Sequence, residues 1–573
     1  AWHNFSSINW YAIKPGDSIY ISGGTSGQIY TETLYVMKGG IEGNQVTIKV
    51  GNDSSHHGKI TLKNGIMFRA PWVTLNGAKD SSFSFSNLEN IVANQNIEVQ
   101  NPNDNSCIYS SAPEGTRILW IDLNGCGSPT GPQTLEGNTA GVLFRGPSIR
   151  GSEIAYNYAH DILGTGLAVS APADTYGLSA IHHNIIERTH NDFIIGSGGL
   201  DIYNNIARNW VRPGIGHPDG FQIWAPYIRI YNNIIHDTPG TLVYIQLQSA
   251  ASKGVQIFNN IMYWTETEEN SAITFSTIAN GVTLSDVVIA NNLVYNLNKG
   301  QLSLNVQQNI TPISVRNFVT KNNIFYVPTN PNNSGNFIDF RVFDYSVNDI
   351  IYDYNILAGT GSLGIGYKGI SYASPEAFNA AFPQYNHNSS LKPLMVNPAS
   401  FDFRLLSSDT ATRNSGADLS SYCTAAYGWS QSNCPLTKDI DGISRPQGSA
   451  WDIGAYEYYS GQTVTPPVST PINGSCSATL NQCLTGAFSD VADTSTNYLW
   501  SCLGSNGGTT ASCSLPITSV TPPTPTTGDF NNDGLVNSID LSLMITAWNT
   551  NNTIYDLNRD GRVNSLDYVN MVR

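Results

Sequence analysis

Two stretches near the end of the chain space oxygen-bearing side chains in the way a hard cation requires. The first contains Asp529, Asn531, Asp533, Gly534, Leu535, Asn537 and Asp540; the second contains Asp556, Asn558, Asp560, Gly561, Arg562, Asn564 and Asp567. Calcium takes about six to eight oxygens, supplied in a loop of this kind by alternate side chains, one backbone carbonyl and a closing carboxylate around a glycine turn. Leu535 and Arg562 occupy the carbonyl position, and Asp540 and Asp567 stand where a glutamate is usual. The pattern, given twice, predicts two bound Ca2+ ions.

A second set of residues suits acid and base chemistry. His190-Asn-Asp192 and His217-Pro-Asp219 each lead into an apolar run. If the two runs are neighbouring strands, the carboxylates stack about 5 Å apart, a separation at which a pair can work on a glycosidic bond. Asp192 and Asp219 are therefore the catalytic candidates. His190, His217, Gln222 and Trp224 are the substrate-binding candidates, the last two offering hydroxyl contacts and a stacking surface for sugar. Another polar column runs His160-Asp161, Glu187-Arg188, Arg208-Asn209 and His236-Asp237. It predicts a surface ion pair between Glu187 and Arg208, worth under about 1 kcal/mol.

The elements that position these groups repeat. Asparagines 157, 184, 205, 233, 260, 292, 323 and 355 each follow a short β-branched or aromatic run, at steps of 27, 21, 28, 27, 32, 31 and 32 residues. A second apolar run lies in most repeats, as in Gly220-Phe-Gln-Ile-Trp224. Short strands at a variable period, without a helical period, predict a parallel β-helix. In such a coil the asparagine is expected at a tight left-handed turn, its amide bonding the next coil about 4.8 Å away. The ladder resembles that of the right-handed β-helix proteins that include pectate lyases, polygalacturonases and phage tailspikes. The resemblance implies fold alone; the Asn-Thr-Asp, Asp-Asp and Arg-Ile-Lys motifs of polygalacturonases are absent.

The calcium-type loops each run into an apolar-periodic segment, Ile539 to Trp548 and Leu566 to Val572, that reads as a helix. A loop followed by one helix, twice, without the entering helix of an EF-hand, resembles dockerin domains. That resemblance implies a cohesin-like receptor, contacted in the family by the pair before the last ligand, here Ser538-Ile539 and Ser565-Leu566.

The whole chain is thus expected to be mostly β. Residues 1–390 form the right-handed parallel β-helix and 391–459 its C-terminal cap, with Ile453, Ala455 and Tyr456 covering the last open rung. Residues 460–473 and 517–527 are Pro- and Thr-rich linkers. Between them, 474–516 is a small disulfide-stapled β module, and 528–573 is the small α-helical dockerin-like domain. Cys107 with Cys126 and Cys423 with Cys434 are sequence-local couples, while Cys476, Cys483, Cys502 and Cys513 leave about three connectivities open.

The formal charge of −15 argues against nucleic acid, and no long apolar stretch predicts a membrane span. The cysteines and the start at Ala1-Trp2-His3, without Met, predict an exported protein, extracellular or on the cell surface. Residues 139–250 hold no Lys, six Arg and eight Asp or Glu, which disfavours an acidic polysaccharide. The expected function is a calcium-binding β-helix that acts on or binds polysaccharide, a glycoside hydrolase before a lyase, tethered by its tail. The rival is a self-assembling filament or surface-layer subunit whose calcium module docks on another copy of the same chain.

Overall fold

The computed structural model describes residues 4–80, 89–103, 106–127, 139–170, 172, 174–211, 218–238, 240–247, 251–265, 271–277, 281–296, 302–306, 314–328, 336–340, 348–360, 363–461, 475–477, 482–485, 487–503, 509–516, 528–531 and 535–571. The chain divides into two units, Ala1–Gln462 and Thr463–Arg573.

The first unit is a parallel β-helix. Each coil contributes one strand to each of three sheets, two of 12 strands and one of 13. One coil consists of Ser179–His182 in sheet 1, Ile185–Thr189 in sheet 2 and Ile194–Ser197 in sheet 3; the next is Leu200–Tyr203, Ile206–Arg208 and Phe221–Trp224. Among the described residues the pairings between coils are parallel, and the last strand of the 13-stranded sheet, Ile370–Tyr372, turns back antiparallel on Gly364–Tyr367. Alternation sets the faces: in Val46–Val50 the residues Val46, Ile48 and Val50 are buried while Thr47 and Lys49 face outward. The inward set forms one continuous core from Phe5 to Tyr385.

The corner between sheets 1 and 2 is the asparagine ladder. Backbone N–H and side-chain Nδ2 of Asn157 both donate to Oδ1 of Asn184 at 2.9 Å, and the same pair of bonds recurs at Asn184, Asn205, Asn233, Asn260, Asn292 and Asn323. The ladder runs one rung further than the motif suggested, because Asn355 donates to Asn388 Oδ1. The left-handed turn belongs to the residue before each ladder asparagine. Tyr156, His183, Asn204, Asn232, Asn259, Asn291, Asn322 and Tyr354 all have φ between 52 and 59°. The amide needs a corner that points it along the stack, and its predecessor supplies that corner.

The open end is covered differently from expectation. The helix Pro375–Ala381 puts Phe378 against Tyr352 and Tyr367, with Phe382 and Tyr385 beside it. Residues 391–459 instead lie along the flank: Met395, Phe403, Ile453 and Ala455 pack on Tyr263, Tyr295, Tyr326 and their neighbours on the outside of sheet 2. Leu419, Trp429 and Leu436 pack on Tyr231 and Phe258 outside sheet 1. The reason is hydrophobic: in these coils the outward strand positions are aromatic, and the flank segment removes them from water. It is held by a fully buried pair, Arg445 Nη1 to Glu457 Oε2 at 3.0 Å, with Arg445 also donating to the carbonyls of Asp452 and Gly454.

In the second unit, Ser475–Cys476 pairs with Cys483–Thr485, and Ala487–Val491, Asn497–Leu503 and Ala511–Pro516 make an antiparallel sheet. The pairings left open by sequence are Cys476–Cys513 and Cys483–Cys502, packed in one cluster with buried Trp500; Cys107–Cys126 and Cys423–Cys434 join as the local couples suggested. Helices Ser538–Thr546 and Ser565–Met571 follow the two acidic loops. The linker residues 462–474 and 517–527 lie outside the described residues. Among the described residues no helix is long and apolar enough to cross a membrane.

Candidate functional site

Chain length between strands is not shared evenly around the coil. Sheet 1 hands over to sheet 2 directly, as from His182 to Ile185, whereas the connections into and out of sheet 3 run from Arg208 to Phe221, from Tyr263 to Ile273 and from Ser170 to Ser179. Long connections beside a rigid sheet are where binding groups gather, so the outer face of sheet 3 is the first place to look.

Two in-register rows cross that face. Ile195, Gln222, Tyr244 and Thr274 align in one, and Ser197, Trp224, Gln246 and Ser276 in the other. Phe221 and Ile223 point into the core, which by alternation turns Gln222 and Trp224 outward, and Tyr244 and Gln246 follow one coil on. Gln222 Nε2 donates to Gln246 Oε1 at 3.4 Å. The indole N–H of Trp224 meets no acceptor among the described residues. Burial pushes the Tyr244 phenol above its usual value; a hydrogen bond with Ser276 opposes this, and the negative charge of Asp219 adds to it. Sequence reasoning did not single out Tyr244 and Gln246 as binding residues; their period-2 match to Gln222 and Trp224 is the signal that marks them.

The two candidate aspartates do stand in neighbouring coils, but inside the corner between sheets 2 and 3. Asp192 and Asp219 are 1% and 0% exposed. Asp192 Oδ1 accepts the backbone N–H of Asp219 at 2.7 Å, and Asp219 Oδ1 accepts that of Thr241 at 2.8 Å. An irregular corner leaves the N–H of the next coil without a ladder partner, and a short carboxylate supplies one. His190 is half-buried and its backbone N–H donates to Ile162 O at 3.0 Å, while His217 lies outside the described residues. The structure thus brings Gln222 and Trp224 together on an open face and ties Asp192 and Asp219 into the wall. Replacing Asp192 with Ala strips the Asp219 N–H of its acceptor and is expected to lower stability by about 1–3 kcal/mol, read from thermal or denaturant unfolding. Unchanged stability together with loss of a glycan-cleaving activity would restore the catalytic assignment.

Sheets 1 and 2 carry titratable clusters too. On sheet 2, Arg208 Nε lies 2.8 Å from Glu187 Oε2, as the column predicted, and Tyr158 Oη donates to Glu187 Oε1 at 2.6 Å. Burial disfavours charge on His160, but hydrogen bonds to Asp122 and Asp161 outweigh it and hold the ring above its ordinary value. On sheet 1, partial burial of Glu153 works to raise it, yet bonds from His182 at 3.0 Å and Arg117 at 2.5 Å bring it down to about 2. Burial lowers the adjacent His183 to about 4. Each group in these clusters is engaged by its neighbours, so both read as surface networks that join coils.

The acidic loops form in the second unit. In the second loop Asp567 Oδ1 and Oδ2 accept the N–H groups of Asn558 and Asn564, both at 2.9 Å, and Asp556 accepts those of Asp560 and Gly561. Asp560 receives Nδ2 of Asn558 at 2.8 Å and of Asn564 at 3.3 Å. Gly561 at φ 90° makes the tight turn. In the first loop Asp540 repeats the closing role toward Phe530, Asn531 and Asn537. Asp529, Leu535 and Asn537 are described, while Asp533 lies outside the described residues. By sequence both loops offer oxygen donors and neither contains His or Cys, the donor chemistry of a hard cation, and each is followed by a helix.

Residues 527–573 match the dockerin type I domain. The dockerin is a small part of the chain, and no curated protein matches the chain. Solved structures similar to it include a mannuronic acid specific polysaccharide family 6 lyase from human gut microbiota, at 12% identity over 61% of this chain and 82% of that one with a TM-score of 0.37. Pectate lyase Pel9A is similar at 13% identity over 78% and 90%, TM-score 0.36. The Dettilon tailspike protein is similar at 12% over 52% and 58%, TM-score 0.31. The β-helix itself rests on the sheet pairings above. The three sulfurs of Cys476, Cys502 and Cys513, which approach one another closely, belong to disulfides.

Proposed function

We propose that this is an exported β-helix that binds and works on polysaccharide along the outer face of sheet 3 and is tethered by its dockerin, loaded with two calcium ions, to a cohesin-like receptor outside the cell. The observation that carries the reading is the pairing of Trp224 and Tyr244 with Gln222 and Gln246 in adjacent coils. Aromatic faces stack on the C–H side of a sugar ring, and amides both donate to and accept from its hydroxyls. A chain of sugars suits a surface that repeats by the coil. Calcium would be held by Asp529, Asn531, Asp533, Leu535, Asn537 and Asp540 in the first loop and by Asp556, Asn558, Asp560, Arg562, Asn564 and Asp567 in the second.

The sequence ranked hydrolysis before elimination on Asp192 and Asp219 and on the absence of Lys from 139–250, and the buried, backbone-bonded oxygens of the two aspartates weigh against the first of these grounds. Binding is the part that the open face of sheet 3 supports. It is tested by electrophoresis of the full chain through gels containing single polysaccharides, with product analysis by chromatography. At least one glycan is expected to retard the wild type, and Trp224→Ala to restore free mobility while melting as the wild type does. Free mobility in every gel would overturn the reading.

A further inference from the structure

We infer that the glycan taken by the outer face of sheet 3 is a neutral one, built of uncharged sugar units, and not a polyuronate. The inference rests on the reading above that this face takes polysaccharide. A polyuronate brings a carboxylate with every sugar, and a protein can meet that charge in two ways. It can place Arg or Lys against the carboxylates, or hold calcium on its own carboxylates and share the ion with the ligand.

Neither device is present among the described residues of this face. From the strand Thr165–Ser170 to the strand Ile273–Thr277, the outward rows carry amide, hydroxyl, aromatic and aliphatic groups only. The nearest charge in register is Arg145, aligned with Ser170 at the edge of the stretch. The negative charge of Asp219 reaches Tyr244 in the middle of the face. A like-charged ligand drawn onto a half-buried surface is repelled and loses its own hydration. A neutral pyranose meets neither cost: its hydroxyls pair with Gln222 and Gln246, and its C–H face with Trp224.

The test uses the full chain in gels and in titration calorimetry with xylan, mannan and a β-glucan against alginate and pectate, each with calcium and with chelator. A neutral glycan is expected to bind, with little change up to about 0.5 M salt and none on chelation, and Trp224→Ala and Gln222→Ala are each expected to weaken it by roughly tenfold or more. Alginate or pectate binding that Trp224→Ala abolishes, with or without a calcium requirement, overturns the inference while leaving the face as the binding site. Binding of any glycan that Trp224→Ala leaves untouched, or no binding in either class, removes the face itself and the inference with it.

Discussion

Chelating calcium from the full chain is expected to unfold residues 528–573 and leave the β-helix intact. The second loop holds acidic and amide oxygens close together around backbone N–H groups, an arrangement that gains most of its stability when a cation fills it. Binding to the folded form only stabilises by RT ln(1 + [L]/Kd), about 4 kcal/mol per site at a thousandfold excess over Kd. A module whose described residues bury four core side chains, Met544, Ala547, Val563 and Met571, has little else to draw on. Titration calorimetry is expected to find two sites in the wild type and one each in Asp540→Ala and Asp567→Ala, with the tail becoming protease-sensitive on chelation. Absence of calcium uptake would refute the loop assignment. Sedimentation of the loaded chain is expected to show monomer until a cohesin is added; polymer formed without one would instead assign the tail to another copy of this chain.

Substituting Asn233 with Ala is expected to be among the most destabilising single changes in the β-helix, by about 3–5 kcal/mol. Its Oδ1 accepts from the backbone and side chain of Asn205, both at 3.0 Å. Its Nδ2 donates to Ile202 O at 2.8 Å, to Tyr231 O at 3.0 Å and to Asn260 Oδ1 at 3.0 Å. The side chain is 0% exposed, so the groups left behind find no water. The neighbouring Asn232 is the left-handed residue at φ 55°, and Asn232→Gly, which keeps that turn accessible, is expected to change stability far less. Denaturant midpoints of the two variants check this; equal shifts would show that the turn and not the amide stack holds the corner.

The ladder and the calcium loops were legible in the sequence because their chemistry is local and repeated. An asparagine must recur once per coil to meet its own copy, whatever the loops between do, so Asn157 to Asn355 stand out despite steps that vary from 21 to 32 residues. Asn388 escaped because the helix Pro375–Ala381 interrupts the strand pattern before it. The loops ending at Asp540 and Asp567 carry their ligands within one short segment, and the helices after them follow from their own periodicity.

The placement of everything that depends on coils meeting across long connections was decided only by the tertiary structure. Asp192 and Asp219 were correctly set in adjacent coils, yet whether a carboxylate at a strand's entrance points to solvent or caps the next coil depends on the corner's backbone, which no spacing encodes. Gln222 and Trp224 became a surface only when Tyr244 and Gln246 were aligned beside them. The segment 391–459 was expected on the last rung and lies on the flank, because the apolar surface it covers is assembled from Tyr263, Tyr295 and Tyr326, residues separated by whole coils in the chain and joined only when those coils stack. By itself the sequence determined the repeat, its inward face and the two cation loops, since these are set by residues near one another; the tertiary structure decided which side chains are left facing outward together, since that is set by how distant segments pack.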